Sequence, residues 1–201
     1  MPPGCPTDLY ATIIGISCDA WSKVVIDTTV GLDEMLTMCS SLNCEDVLLK
    51  VNARELCEIA KIDVRNPLSQ SKGIISIPPE SVKLASCKLF ETYKALTYIA
   101  ATDGPFPSFF LSKSGEGSCT IETPELPRPF LSPIGCGDTV SAGTLSYWST
   151  SANCDVGEAL GAFQWGIACA TASCMNAENA VFSVDEASAI RSKMVLNQIQ
   201  D

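Results

Sequence analysis

A chain of 201 residues is long enough for one α/β domain with a buried core and too short for two of full size. Its 13 Lys and Arg against 23 Asp and Glu give a formal net charge of −10, which argues against a nucleic-acid-binding or anionic-membrane surface. The chain contains no histidine, which excludes Ser-His-Asp triads, Cys-His pairs and most catalytic zinc sites.

The 11 cysteines are odd in number, spread from Cys5 to Cys174, and include no C-x-x-C pair. A disulfide scaffold is typical of a shorter secreted chain, so we expect reduced thiols that act as small core hydrophobes. No apolar stretch approaches the length of a membrane span, and Met1–Pro6 lacks the features of a signal peptide. These observations predict a cytoplasmic protein with no membrane or nucleic-acid partner.

The first predicted elements alternate between helix and strand. An apolar stripe from Leu9 to Ala20 predicts a helix capped by Thr7. Lys23–Asp27 predicts a short buried strand, and a polar helical stretch follows it. Asp46–Asn52 predicts a second strand, and Ala53–Ile62 carries helix formers.

Asn66–Pro79 is rich in Ser, Pro and Gly and predicts a connecting loop, beyond which the pattern resumes unchanged. The chain is therefore expected to be one domain, residues 1–201. The next predicted element is a helix over Val82–Leu96. Strands are predicted at Tyr98–Thr102, Ser108–Ser112 and Ser118–Glu122, with a hairpin turn at Gly115–Gly117. Helices are predicted at Asp138–Ser149, Val156–Met175 and Val184–Gln198. Such alternation predicts a mostly parallel sheet covered on both faces, with ligands at the carboxyl ends of its strands.

A glycine-rich turn, Gly135-Cys136-Gly137, precedes Asp138 at a predicted helix start. Glycines allow the backbone to direct N–H groups toward an anion, and the positive end of the helix dipole adds to the same spot. Asp138 would lie where a general base is useful. A purely structural turn has the same appearance, and taken alone the motif leaves both interpretations open.

Three further polar groups end predicted strands or helices. Asn52 and Glu55 can face one pocket, or form an ordinary helix cap. Thr102 and Gly104 offer a hydroxyl and a flexible backbone to a phosphate, or form a simple exit from a strand. Asn176 follows a long apolar helix, where asparagine is usually a C-terminal cap.

In order and spacing, these four landmarks resemble the ribokinase-like sugar kinases of the phosphofructokinase-B family. The resemblance implies that Asp138 is the catalytic base and that Gly135, Cys136 and Gly137 form the anion hole. It further implies roles for Asn52 and Glu55 toward Mg²⁺, and for four residues toward ATP: Lys50, Thr102, Gly104 and Asn176.

The branch that the chain resembles most is that of the 1-phosphofructokinases and tagatose-6-phosphate kinases. Leu49-Lys50-Val51-Asn52 resembles its Leu-Lys-Pro-Asn motif, Val25–Thr29 its Asp-Thr-Ser segment, and Pro2–Pro6 its Leu-Pro-x-Gly loop. Three residues depart from the family pattern. Val51 replaces a proline, Cys136 replaces a small loop residue, and Pro107 stands where a second glycine of the nucleotide turn is usual.

The resemblance implies a three-layer αβα sandwich and begins about where the family's second half begins. The chain is thus expected to be the C-terminal, nucleotide-binding portion, without the lid and most of the sugar-binding side. Two functions stay open: phosphorylation of a sugar or sugar phosphate by ATP, with a homodimer as one assembly, or a non-catalytic nucleotide-binding remnant. A dinucleotide-binding Rossmann domain is disfavoured, because Val140 occupies the position of its third glycine.

Overall fold

The computed structural model describes residues 23–64, 76–126, 129, 131–151, 153 and 155–199. The predicted helix over Leu9–Ala20 and most of the predicted loop after Asn66 lie outside these residues. The chain divides into two compact units, Met1–Lys113 and Ser114–Asp201. Both contain helices and strands, so the fold class is α/β, as predicted.

Within its described residues, the first unit contains four strands. Its elements in chain order are β1 (Val24–Ile26), α1 (Leu32–Ser41), β2 (Val47–Asn52), α2 (Ala53–Ile59), α3 (Pro79–Thr92), β3 (Leu96–Asp103) and β4 (Phe106–Ser112). β1, β2 and β3 pair in parallel, and β4 pairs antiparallel with β3. The run Val47–Val51 is buried at every position, as expected of a strand with both faces covered.

Several boundaries in this unit differ from the prediction by a few residues, and at Leu96 the predicted conformation is wrong. The predicted helix over Val82–Leu96 ends at Thr92, and Leu96 begins β3. Leu96 falls on the apolar side of the helical pattern, but its backbone lies in register with Val47 of β2. Pairing with a buried strand therefore determines the conformation at Leu96, where the helical period alone was misleading.

The second unit contains β5 (Cys119–Glu122), α4 (Cys136–Thr150), α5 (Val156–Cys174), α6 (Val184–Arg191) and β6 (Val195–Gln198). β5 and β6 pair antiparallel, as do β3 and β4 in the first unit. The strand pairing is therefore mixed and not parallel throughout. The core between α5 and α6 is formed by six buried residues: Ala168, Cys169, Ala172, Met175, Ala187 and Ile190.

The predicted helix over Val184–Gln198 is wrong in its second half. α6 ends at Arg191, the chain turns at Ser192, and Val195–Gln198 becomes β6. All four residues of β6 are exposed, so burial does not select this conformation. Pairing with β5 selects it, and a hydrogen bond from Asn197 Nδ2 to Glu122 Oε1 at 2.9 Å accompanies that pairing.

α4 and α5 cross at a point where their backbones come close. A Cβ atom on Gly143 would lie 2.9 Å from Gly166 Cα, and one on Gly166 would overlap the Val140 carbonyl oxygen and Thr144 Oγ1. Such spacing leaves no room for a side chain at either glycine. The middle of α4 is therefore packed closely against α5.

Among the described residues, no helix is long and apolar enough to cross a membrane.

Candidate functional site

The predicted site residues fall into two groups, one in each unit. Lys50, Asn52, Glu55, Thr102 and Gly104 belong to the first unit, at the carboxyl ends of β2 and β3. The parallel register sets Asn52 directly beside Thr102. Two motifs that are 50 positions apart in the sequence thus lie next to each other at one edge of the sheet.

Asn52 and Glu55 form a capping box at the start of α2. Asn52 Oδ1 accepts a hydrogen bond from Glu55 N at 2.8 Å, and Glu55 Oε2 accepts one from Asn52 N at 2.9 Å. Two N–H groups that a helix start would otherwise leave unpaired are satisfied in this way. The structural interpretation of the motif is therefore confirmed, while a role toward a metal stays a prediction.

The donor set limits how Mg²⁺ could be held here. No group of three or more His, Cys, Asp or Glu side chains suited to a metal occurs among the described residues. Mg²⁺ commonly keeps several waters and binds through substrate phosphates and one or two carboxylates. Glu55 has its second carboxylate oxygen outside the cap, so the residue fits contact through a metal-bound water and not a protein cage.

Lys50 is buried near the end of β2, and its ammonium group is paired. Its Nζ lies 3.2 Å from Asp27 Oδ1, and its side chain is 7% exposed, compared with 33% for Asp27. A buried cation needs such a partner, because burial without one disfavours its charge. The structure thus pairs Lys50 with the carboxylate that follows β1.

Thr102 lies opposite a bulge in the β3–β4 hairpin. Ala101 pairs with Phe109 and Asp103 pairs with Phe106, so Thr102 faces two residues, Pro107 and Ser108. A bulge is where a strand tolerates proline, because the missing N–H interrupts the ladder least there. The unexpected Pro107 is thereby explained by the local pairing.

The turn after Thr102 depends on Gly104 and on a carboxylate that the sequence did not single out. Gly104 has φ of 61°, a left-handed conformation that glycine adopts without a steric penalty. Asp103 Oδ2 accepts hydrogen bonds from Ser76 Oγ at 2.7 Å and from Ile77 N at 2.9 Å. Asp103 therefore holds the chain that leads into α3, a role for which its sequence neighbours carry no signal.

In the second unit, Gly135 is the N-terminal cap of α4. Its φ of 77° is left-handed, and its carbonyl accepts hydrogen bonds from Thr139 N at 2.9 Å and Thr139 Oγ1 at 2.8 Å. Cys136 N donates to Pro133 O at 3.3 Å. Because the first four N–H groups of a helix have no acceptor within it, those of Gly137 and Asp138 are left to meet an anion.

Asp138 lies in the first turn of α4 and is exposed. Among the described residues, no hydrogen bond or ion pair engages its carboxylate. The side chain therefore stands beside the two N–H groups that an anion would use and is accessible to a second reactant. The roles of Gly135–Gly137 as an anion hole and of Asp138 as a base stay predictions.

Asn176 follows Met175, the C-cap residue of α5, and its side chain caps the end of that helix. Its Nδ2 donates to Ala172 O and to Val181 O, each at 3.0 Å. The structural interpretation of this residue is therefore confirmed. The cap fixes the turn over 176–181, where Asn179 Oδ1 accepts a hydrogen bond from Ser132 Oγ at 3.1 Å.

Cys136 and Cys174 are joined by a disulfide between the Gly135 turn and the end of α5. Their Cα atoms are 6.8 Å apart, within the reach of a disulfide, although the residues are 38 positions apart in the sequence. The expectation of reduced thiols throughout is therefore wrong for this pair, and also for Cys44, which is disulfide-bonded. No local pattern marked the pair, since the chain folds the two cysteines together only in three dimensions.

The expectation is right for four buried thiols, Cys39, Cys57, Cys119 and Cys169. Burial raises the pKa of Cys39, Cys119 and Cys169 to about 11, so these side chains remain neutral at physiological pH. They act as small apolar groups in the core.

No protein-family model matches the chain. Phosphofructokinase-2 from Escherichia coli is similar in structure, with a TM-score of 0.70 and 17% identity over 96% of this chain and 54% of that one. The same enzyme in complex with fructose-6-phosphate matches with a TM-score of 0.65 and 17% identity, over 96% of this chain and 53% of that one. Fructokinase from Vibrio cholerae, bound to fructose, ADP and calcium, matches with a TM-score of 0.60 and 12% identity, over 89% of this chain and 54% of that one.

The chain thus spans about half the length of the solved structures that it matches. At these identities the likeness concerns the fold. Over that half, the chain shares the α/β fold of these phosphofructokinase-2 and fructokinase structures.

Proposed function

We propose that this chain forms the nucleotide-phosphate side of an ATP-dependent carbohydrate kinase, with Asp138 as its general base. One observation carries the proposal. Left-handed Gly135 begins α4 so that two unpaired N–H groups and the exposed, unengaged carboxylate of Asp138 lie in the same helical turn. The fold shared with sugar kinases supports it.

In the proposed reaction, a sugar hydroxyl attacks the γ-phosphate of ATP while Asp138 accepts the hydroxyl proton. The N–H groups of Gly137 and Asp138, with the positive end of the α4 dipole, stabilise the negative charge on the transferring phosphoryl group. The tight crossing with α5 near Gly143 fixes the body of the helix that carries these donors.

At the first unit's sheet edge we assign Thr102 and the Gly104 turn to the nucleotide phosphates. Lys50 is held by Asp27 and would contribute its charge to this edge from a fixed position. Mg²⁺, when bound to the phosphates, would neutralise part of their charge, and Glu55 would orient one of its waters. In the second unit, Asn176 would shape the wall near the base of the nucleotide through its cap.

The test is phosphoryl transfer by the wild-type protein and by Asp138→Asn, with fructose-1-phosphate, fructose-6-phosphate and tagatose-6-phosphate as acceptors. Removing a general base costs roughly 10²- to 10⁴-fold in kcat, so we expect a loss of that order with little change in the KM for ATP. Asp185→Asn is the matched control. Asp185 is an exposed carboxylate in the first turn of α6, and the change alters net charge equally. Equal activity of Asp138→Asn and wild type would remove Asp138 as the base.

The alternative is a nucleotide-binding protein that does not transfer phosphate. Calorimetric titration with ATP and Mg²⁺ separates the two functions. Binding without transfer to any of the three acceptors supports the second, and binding with transfer supports the first.

A further inference from the structure

The Gly135 turn is attached to the end of α5 by an unusual combination of contacts. Leu131 N and Ser132 N both donate to the carbonyl of Cys174, at 2.8 and 3.3 Å. Four residues after Ser132, the Cys136 side chain is bonded covalently to the Cys174 side chain. Backbone and side chain of a single residue, Cys174, thus hold both ends of the segment that precedes α4.

Apolar burial contributes little to this attachment. Leu131 and Ile134, the large apolar side chains of the segment, are 58% and 68% exposed. A segment with few buried apolar contacts opens locally at a low free-energy cost unless other links hold it. The disulfide joins residues that are 38 positions apart. A covalent link over a longer separation restricts the open states of the segment more than one over a shorter separation.

We propose that Cys136 and Cys174 are a redox-controlled latch on the Gly135 turn, and that Cys174 is a positioning residue for the anion-binding N–H groups of α4. What the turn binds rests on the function proposed above. The latch itself rests on the disulfide, the two hydrogen bonds to Cys174 and the exposure of the segment. In the oxidised state the turn is fixed, and in the reduced state hydrogen bonds alone retain it.

The exchange reaction requires a dithiol reductant. Cys174 is 2% exposed, whereas Cys136 is half-buried, so the reductant's thiolate attacks Cys136 Sγ. The Cys136–Cys174 bond breaks, Cys174 leaves as a thiolate and takes up a proton, and a mixed disulfide forms on Cys136. The second thiol of the reductant then attacks its own sulfur in that mixed disulfide, which releases Cys136 as a thiol and leaves the reductant as a disulfide. Two electrons pass from the dithiol to the cysteine pair.

The reduced state has a defined place for the Cys136 thiol. Its Sγ lies 3.8 Å from Ser132 O, which can accept the weak hydrogen bond of a thiol. The turn therefore need not unfold on reduction. It loses its covalent link and keeps hydrogen bonds that open more often.

The experiment measures amide hydrogen exchange of the segment 129–140 by mass spectrometry, across a series of thiol-to-disulfide ratios. Loss of the link should raise exchange of the bonded Leu131 and Thr139 amides by on the order of tenfold. The same samples are titrated with ADP, and reduction should weaken ADP binding by a similar factor. The change in exchange should follow the reduction of Cys136 and Cys174, counted by alkylation of their peptides.

Two variants distinguish the effect of reducing Cys136 and Cys174 from the effect of reducing other cysteines. Cys44 is also disulfide-bonded, so Cys44→Ser removes that bond in both states and should retain the whole response. Cys174→Ser should exchange at the reduced rate whatever the redox state.

Equal exchange of 129–140 in the oxidised and reduced protein overturns the latch, as does a response that Cys174→Ser retains. Absence of ADP binding in both states would count against the proposed function. The latch would then be tested by the hydrogen-exchange result alone.

Discussion

The crossing of α4 and α5 allows a substitution whose effect can be worked out from the structure. A methyl group on Gly166 would overlap a backbone carbonyl, that of Val140, and the buried Thr144 Oγ1. The carbonyl belongs to a helix backbone and cannot rotate away, and the hydroxyl belongs to a fully buried side chain. Gly166→Ala must therefore push the two helices apart.

Overpacking of this kind costs about 1–3 kcal/mol, and a clash with backbone belongs at the upper end of that range. Alanine is better than glycine inside a helix by about 1 kcal/mol, which offsets part of the cost. We expect a net loss of about 2 kcal/mol in the free energy of unfolding. With a slope of roughly 2 kcal/mol per M, the urea midpoint should fall by about 1 M.

Gly161→Ala in the same helix is the matched control. Its methyl group would meet Arg191 Nη2 at 3.1 Å, the end of a flexible side chain that can move. The propensity gain should then dominate, so this variant is expected to equal or exceed wild type in stability. Urea unfolding followed by circular dichroism measures both proteins. If Gly166→Ala unfolds at the wild-type midpoint, the close backbone approach is not a constraint and the reasoning fails.

Two further predictions concern the capping box and the buried thiols. Asn52→Ala should lower the free energy of unfolding by about 1 kcal/mol, and Asn52→Ser should restore most of that loss, because a hydroxyl can also cap Glu55 N. Urea midpoints measured without added metal check this prediction. Equal midpoints for wild type and both variants would contradict the role of Asn52 as a cap. The pKa of Cys39, Cys119 and Cys169 is raised by burial to about 11 from 9.0, so the unfolded chain loses these protons first as pH rises. The contribution of these neutral thiols to stability is complete below about pH 9 and should be lost between about pH 9 and 11. Urea midpoints across that range test whether stability falls as pH rises. A midpoint that does not change with pH, in wild type and in Cys119→Ala alike, would refute the prediction.

The sequence carried much of the fold because the deciding interactions are local or strongly patterned. Buried runs such as Val47–Val51 can be satisfied only by a strand covered on both faces. The long apolar α5 and the Gly135 start of α4 were likewise predictable, since both depend on the residues within a few positions of them. The capping box of Asn52 and Glu55 belongs to the same class.

The errors occur where pairing between distant segments determines the backbone. Leu96 and Val195–Gln198 fit a helical period by themselves, and their strand conformation depends on β2 and β5. Pro107 looked like a departure from a nucleotide turn until the β3–β4 register placed it in a bulge. Such pairings lie tens of residues apart and leave no local periodicity to detect.

For the candidate site, the sequence by itself named the candidate residues: a glycine turn, one carboxylate and the polar ends of two strands. Only the tertiary structure decided that Asn52 and Thr102 are neighbours, that Lys50 is paired with Asp27, and that Cys136 is bonded to Cys174. The physical reason is the same in each case. A motif fixes its own backbone through local hydrogen bonds, whereas burial and long-range packing determine which side chains meet.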